Sequence, residues 1–239
     1  MKQTETNLFF TDFQTNASKF CLCQINRYDY LLKHHKRTEK SKYMIDPGVH
    51  ELKIRYDYSR INQLNEMAQS NKEFISIDYP SDMNEEMSDI FIRRTNLNNQ
   101  KYANKSKYII GIQSIREDFQ SFVKNFNYNL PLMNRHIVGI GNLCRIMRPN
   151  QYTDNLFKFL NENIMGNRYH FFGLSLRLIK KYLQSPNFYW SVDSTKFTKT
   201  VNDSLKYQYG LNCKKENRDI FFLEYIKSIR NSGIEIYYE

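Results

Sequence analysis

Cysteine is scarce in this chain: Cys21, Cys23, Cys144 and Cys213 are the only four among 239 residues. So few thiols exclude the disulfide framework of a small secreted domain and are read as the reduced thiols of an intracellular, cytoplasmic protein. No run of about 18 apolar residues occurs, so no membrane-spanning helix is expected. The opening residues, Met1 to Thr6, are polar and have none of the apolar stretch that a secretory leader needs. Low-complexity tracts and internal repeats are missing as well, which sets aside repeat arrays. Glycine is sparse too, at 8 residues, in a chain rich in Asn, Lys, Ile and Tyr. That usage fits an AT-rich genome and says nothing about chemistry.

What the chain does have is positive charge and apolar mass. Lys and Arg number 35 against 25 Asp and Glu, a formal charge of +10 with an isoelectric point near 9.3. Such an excess favours a polyanionic partner, nucleic acid first and an anionic membrane surface second, although a basic balance also serves solubility. Hydrophobic residues make up 41% and aromatics 15%, enough for a substantial core. The length suits a single domain spanning residues 1–239.

Short apolar runs punctuate the chain. Asn7 to Phe13, Tyr43 to Gly48, Phe74 to Asp78, Tyr108 to Gln113, His136 to Gly141, His170 to Leu174, Phe188 to Val192 and Ile234 to Tyr238 all read as strands. Phe20 to Ile25 is open between a strand and an apolar helical turn. Between the strands, helices are predicted over Tyr58–Gln69, Ile115–Phe126, Tyr152–Ile164, Ser175–Leu183 and Arg218–Arg230 from their apolar spacing. Arg27 to Lys42 is strongly basic, either a solvated connection or a phosphate-contacting surface. Arg93 to Lys107 reads as a basic, Asn-rich loop. Eight such runs recur at roughly 25 to 40 residues among helical stretches, and several are near-continuous and apolar, as suits parallel strands buried on both faces. The fold class expected is α/β, a closed (β/α)8 TIM barrel.

In such a barrel the chemistry sits where the strands end. Those ends carry Asp46, Asp78, Gln113, the run Gly139 to Asn142, Ser175 and Asp193. Carboxylates gathered at one mouth are costly to bury without partners, which is why they suggest a site. Asp193 is the most telling. A buried strand delivers it into a polar loop with Ser194, Thr195, Lys196, Thr198 and Lys199, groups suited to holding a phosphate backbone beside a nucleophile. Lys196, Lys199 and Arg145 are the candidate backbone contacts. The alternative is that Asp193 caps the next turn.

The ordered stretches Met44 to Gly48 (MIDPG), Ile75 to Asp78 (ISID), Ile109 to Gln113 (IIGIQ), Ile137 to Gly141 (IVGIG), Phe172 to Leu174 (FGL) and Trp190 to Asp193 (WSVD) resemble the tRNA-guanine transglycosylase family, with its archaeosine and DNA-modifying relatives. The likeness runs from about residue 43 to 200. It implies a pentosyltransferase, active in tRNA modification or on DNA, that replaces guanine in a nucleic acid by a 7-deazaguanine. Asp193 matches the family's nucleophile, which attacks C1′ and leaves a covalent glycosyl-enzyme. Asp46 matches the general acid/base. Asp78 matches the base-reading aspartate. Gln113 and the backbone around Gly141, within Gly139 to Asn142, would meet the base carbonyl. The target base must leave its stack to enter such a pocket.

Departures from the family are equally plain. Its zinc site of three cysteines and a histidine follows the nucleophile, whereas here only Cys213 lies beyond Asp193 and no histidine does. No metal and no cofactor is expected there. Cys21 and Cys23, with His34 and His35 beyond, are open between a metal pair and core residues. Thr195-Lys196-Phe197 stands where the family has Pro-Thr-Arg, which leaves tRNA against DNA open. Two other readings stay on the table: a barrel of this kind that binds nucleic acid without turnover, and one acting on free nucleosides. Whether the chain forms a homodimer is open.

Overall fold

The computed structural model describes residues 8–10, 18–35, 38, 41–47, 58–79, 85–163, 168–193, 210 and 215–238. Within them, strands and helices alternate: β1 (Leu8–Phe10), β2 (Phe20–Gln24), α1 (Tyr28–His34), β3 (Lys42–Asp46), α2 (Tyr58–Ser70), β4 (Phe74–Ile75), α3 (Glu85–Tyr102), β5 (Ile109–Ile112), α4 (Phe119–Asn129), β6 (Ile137–Ile140), α5 (Gln151–Glu162), β7 (Arg168–Phe171), α6 (Leu176–Tyr182), β8 (Tyr189–Asp193) and α7 (Arg218–Arg230). Every paired strand is parallel. One sheet has the order β1-β8-β7-β6-β5 and the other β2-β3-β4. A parallel bridge from Ile75 to Tyr108, with the Ile75 N–H donating to the Lys107 carbonyl at 3.0 Å, links β4 to β5. No helix among the described residues is long and apolar enough to cross a membrane.

The period-2 alternation of the strands sorts their side chains onto two faces. Cys21, Cys23, Tyr43, Ile45, Ile75, Ile77, Ile110, Ile112, Val138, Ile140, Tyr169, Phe171, Trp190 and Val192 face the helices and join one large apolar cluster. The amphipathic helices supply its other half: Ile61, Leu64 and Ala68 on α2, Phe122 and Phe126 on α4, Leu156, Phe157 and Leu160 on α5, and Phe221, Tyr225 and Ile229 on α7. Burying each large side chain there contributes about 1.5–3 kcal/mol. The opposite face carries a second, smaller cluster. Phe20, Met44 and Ile109 form it, with Leu22, Phe74, Ile137 and Phe172 packed against them.

Two expectations are corrected. Ile234 to Tyr238 forms no strand of either sheet and has only an isolated bridge residue, Tyr237. Its Tyr238 carbonyl accepts from the Lys19 N–H at 2.8 Å and from Ser18 Oγ at 3.1 Å, so it packs against the start of β2. The segment left open at Phe20 to Ile25 is a strand, β2, and takes the expected eighth place. An alternating tail fits any extended segment, and the partner it meets decides whether it joins a sheet.

The second correction is α3, which runs through Arg93 to Tyr102 where a loop was expected. Asn96 and Asn99 are buried there, and Asn98 half-buried, because β4 is only two residues long. Past Ile75 the neighbouring backbone loses its ladder, and side chains from α3 and α4 replace it. Asn99 brackets Gly111: its Nδ2 donates to the Gly111 carbonyl at 2.9 Å and its Oδ1 accepts from the Gly111 N–H at 3.1 Å. Asn98 Nδ2 donates to the Ile77 carbonyl at 3.1 Å, and Thr95 Oγ1 accepts from the Tyr79 N–H at 2.9 Å. Asn125 Nδ2 donates to the Gln113 carbonyl at 2.9 Å. Asn129 ties the two helices together through Asn99 and Asn96, at 2.9 and 2.8 Å.

Candidate functional site

Asp193 closes β8 and is 7% exposed. Period-2 alternation sets it with Ser191 on the face away from the helices. Its Oδ1 accepts two hydrogen bonds, from the Gly173 N–H at 2.9 Å and from His170 Nε2 at 3.2 Å. Oδ2 has no hydrogen-bond partner among the described residues. His170, on β7, is fully buried, and its Nδ1 lies 2.9 Å from Ser191 Oγ. Its ring stands edge-on to Phe172 at 4.5 Å. Gly173 has φ +66°, which aims its N–H at Asp193. A Cβ at Gly173 would come within 2.6 Å of Cys144 Cβ.

Asp78 and Gln113 meet directly. Gln113 Nε2 donates to Asp78 Oδ2 at 2.9 Å, and Ser76 Oγ donates to Asp78 Oδ1 at 2.7 Å. Two glycines make room for this arrangement. A Cβ at Gly111 would stand 3.3 Å from Asp78 Cβ, and one at Gly141 would stand 2.9 Å from Gln113 Cγ. The backbone flanking both side chains is held by the α3 and α4 groups already described. Beneath Asp78 is Tyr108, whose phenol is pushed well above its ordinary pKa by burial and then by the negative charge of Asp78.

Asp46 ends β3 and is half-buried, in register with Gln24 on β2. Both continue the face that carries Leu22 and Met44. The buried Gln24 Oε1 accepts no hydrogen bond from the described residues. Gly139 leaves space for Phe172, whose Cε2 would lie 2.7 Å from a Cβ there. Asn142 adopts φ 62° and donates through Nδ2 to the Ser114 carbonyl at 2.6 Å, so its amide joins the β6 and β5 loops. Ser175 Oγ donates to the Met147 carbonyl at 3.4 Å. Arg145 is exposed in the loop after β6, with Arg148 beside it, Arg116 in the loop after β5 and Arg177 in the first turn of α6. Lys196 and Lys199 lie outside the described residues.

Toward their C-terminal ends, then, the strands turn polar on one face: Gln24, Asp46, Ser76 and Asp78, Gln113, His170, and Ser191 with Asp193. Nearer their N-terminal ends the same face carries an apolar band of Phe20, Leu22, Met44, Phe74, Ile109 and Ile137. Reading the sequence missed His170, Ser76 and Gln24. His170 stands in an apolar run, and the only clue was a histidine at even spacing from Phe172, beside a strand that ends in aspartate. Of the other cysteine and histidine candidates, His34 is exposed on α1 and the remaining three are placed in the packing. Cys21 and Cys23 pack in the larger core cluster, and His35 spends Nδ1 on Tyr43 Oη at 3.0 Å and Nε2 on the Ser18 carbonyl at 3.1 Å. Among the described residues no group of three His, Cys, Asp or Glu could hold a metal ion.

No known family model matches the chain, and no curated protein matches it.

Proposed function

We propose that this chain is a base-exchanging pentosyltransferase built on a closed (β/α)8 barrel, acting on guanine in a nucleic acid. The barrel is supported by the all-parallel pairing, by the bridge between β4 and β5, and by β1 lying next to β2 at the remaining gap. It is also supported by the smaller apolar cluster. One face of β2 through β6 can pack into a single cluster with Phe172 if the sheet curls on itself.

The observation that carries the functional reading is the state of Asp193. One carboxylate oxygen is pinned by a backbone N–H and an imidazole, while the other has no partner among the described residues. A carboxylate held this way suits a nucleophile whose attacking atom is already chosen. Asp78 and Gln113, on the same face and at the same ends of their strands, offer a paired carboxylate and carboxamide to a purine edge. In the proposed reaction Asp193 Oδ2 bonds to C1′ as the bond from C1′ to the base nitrogen breaks. The electron pair leaves with the base, which takes a proton from Asp46. An incoming base then bonds to C1′, gives its proton to Asp46, and returns the electron pair to Asp193. Exposed Arg116, Arg145 and Arg148 on the loops at these strand ends, with Arg177 in the first turn of α6, suit the phosphate backbone.

The test is exchange of labelled guanine into tRNA and into DNA, with the covalent protein–nucleic acid adduct followed on denaturing gels. Wild type forms the adduct and Asp193→Asn forms none, while Asp78→Ala loses base binding. Exchange by Asp193→Asn at the wild-type rate would sink the reading, as would no exchange by wild type on either polymer.

A further inference from the structure

We infer that Ser191 and His170 form a fixed relay behind Asp193 that governs release of the glycosyl ester. The inference rests on Asp193 being the nucleophile. Serine, histidine and aspartate in hydrogen-bonded sequence also suggest a serine nucleophile, but the order along the strands opposes that. Ser191 lies two residues deeper than Asp193 on the same face, and it contacts the imidazole through Nδ1. The reactive end of the chain of bonds is therefore the carboxylate, and the serine is its buried anchor.

The hydrogen bonds assign the protons. An ionised Asp193 only accepts, so the proton between it and His170 belongs to Nε2. A neutral imidazole then accepts at Nδ1, and Ser191 Oγ donates to it across 2.9 Å. Full burial and the edge contact with Phe172 prevent the ring from turning away. Ser191 thus fixes the tautomer, and the tautomer fixes which oxygen of Asp193 is held. His170 is a positioning residue: it acts on the reacting atoms through Asp193.

The consequence lies in the second half of the reaction. Once Oδ2 is bonded to C1′, Oδ1 is an ester carbonyl and draws only weakly on its two donors. When the incoming base bonds to C1′ and the bond from C1′ to Oδ2 breaks, the returning charge spreads onto Oδ1. Both donors then strengthen. The pair of donors stabilises the departing carboxylate more than the ester, so it favours release over accumulation.

The experiment compares His170→Phe, which keeps a ring without a donor, with His170→Gln, which keeps a donor near the Nε2 position. His170→Phe is expected to raise the ratio of covalent adduct to free enzyme by about ten- to a hundredfold and to slow transfer to the acceptor base, with KM for the polynucleotide unchanged. His170→Gln is expected to stay within about threefold of wild type, since the donor that counts is retained. Ser191→Ala is expected to raise the adduct severalfold in the wild-type background and to add nothing to His170→Phe, because its effect passes through the imidazole. A readout independent of turnover comes from the ring nitrogens by NMR: wild type should show the tautomer protonated at Nε2, and Ser191→Ala a mixture. A proton on Nδ1, or unchanged adduct and transfer in His170→Phe, would overturn the relay. If wild type transfers no base, the nucleophile reading fails on its own, and the tautomer measurement still decides whether Ser191 locks His170 against Asp193.

Discussion

Glycine at 141 shows how a missing side chain shapes the site. Gln113 Cγ lies where a Cβ at 141 would begin, 2.9 Å away, so an alanine there pushes Gln113 off Asp78. Gly141→Ala is expected to weaken guanine or 7-deazaguanine binding by about tenfold, the loss of one good hydrogen bond, with little change in thermal stability. Calorimetric titration with the free base checks it, and unchanged affinity would separate Gln113 from the base. At this scale the sequence was partly readable. Asp46, Asp78, Gln113 and Asp193 each close a run of apolar residues, and the structure sets all four on one face at strand ends. The partners of those residues were not readable. Ser76 and His170 sit inside apolar runs and gain their meaning only from neighbours 2 and 23 residues away.

Helices α3 and α4 act as substitute strands. Because β4 stops at Ile75, the polar backbone from Ile77 to Tyr79 and from Gly111 to Gln113 is satisfied by Thr95, Asn98, Asn99 and Asn125. Asn99→Ala leaves the buried N–H and C=O of Gly111 without partners and is expected to cost about 2–4 kcal/mol in denaturant unfolding. A cost below about 1 kcal/mol would mean that water replaces the asparagine. This explains why the sequence misled over Arg93 to Lys107. Asparagine and lysine are common in loops, and their use here depends on a gap in a sheet that local propensity cannot register. The tail at Ile234 to Tyr238 misled for the converse reason. Its alternation is that of a strand, but β2 already pairs with β3, and among the described residues the tail's backbone carbonyl at Tyr238 is met by Ser18 and Lys19 there.

Across the whole molecule, charge and strand ends combine. The net charge of +10 was legible from composition, but its distribution was not. Four exposed arginines stand beyond the strand ends: 116, 145 and 148 on the loops that follow β5 and β6, and 177 in the first turn of α6. Replacing Arg145, Arg148 and Arg177 together by alanine is expected to flatten the slope of log affinity against log salt by about 1 for each phosphate that these arginines neutralise, with affinity falling alike on all sequences. Filter binding at several salt concentrations measures this, and an unchanged slope would move the polymer to another face. The α/β class with parallel strands was legible from the rhythm of short apolar runs, since parallel strands buried on both sides leave that trace. Which run became which strand was settled by pairing partners distant in the chain.

The face of the strands turned away from the helices divides its labour along their length. Phe20, Met44 and Ile109 form a greasy foundation, and the polar positions stand further along, toward the strand ends. The side chain at a strand end, at Gln24, Asp78 or Gln113, can therefore change without loosening the foundation. A lineage carrying such a scaffold can vary the chemistry of the strand ends while its folding stays intact.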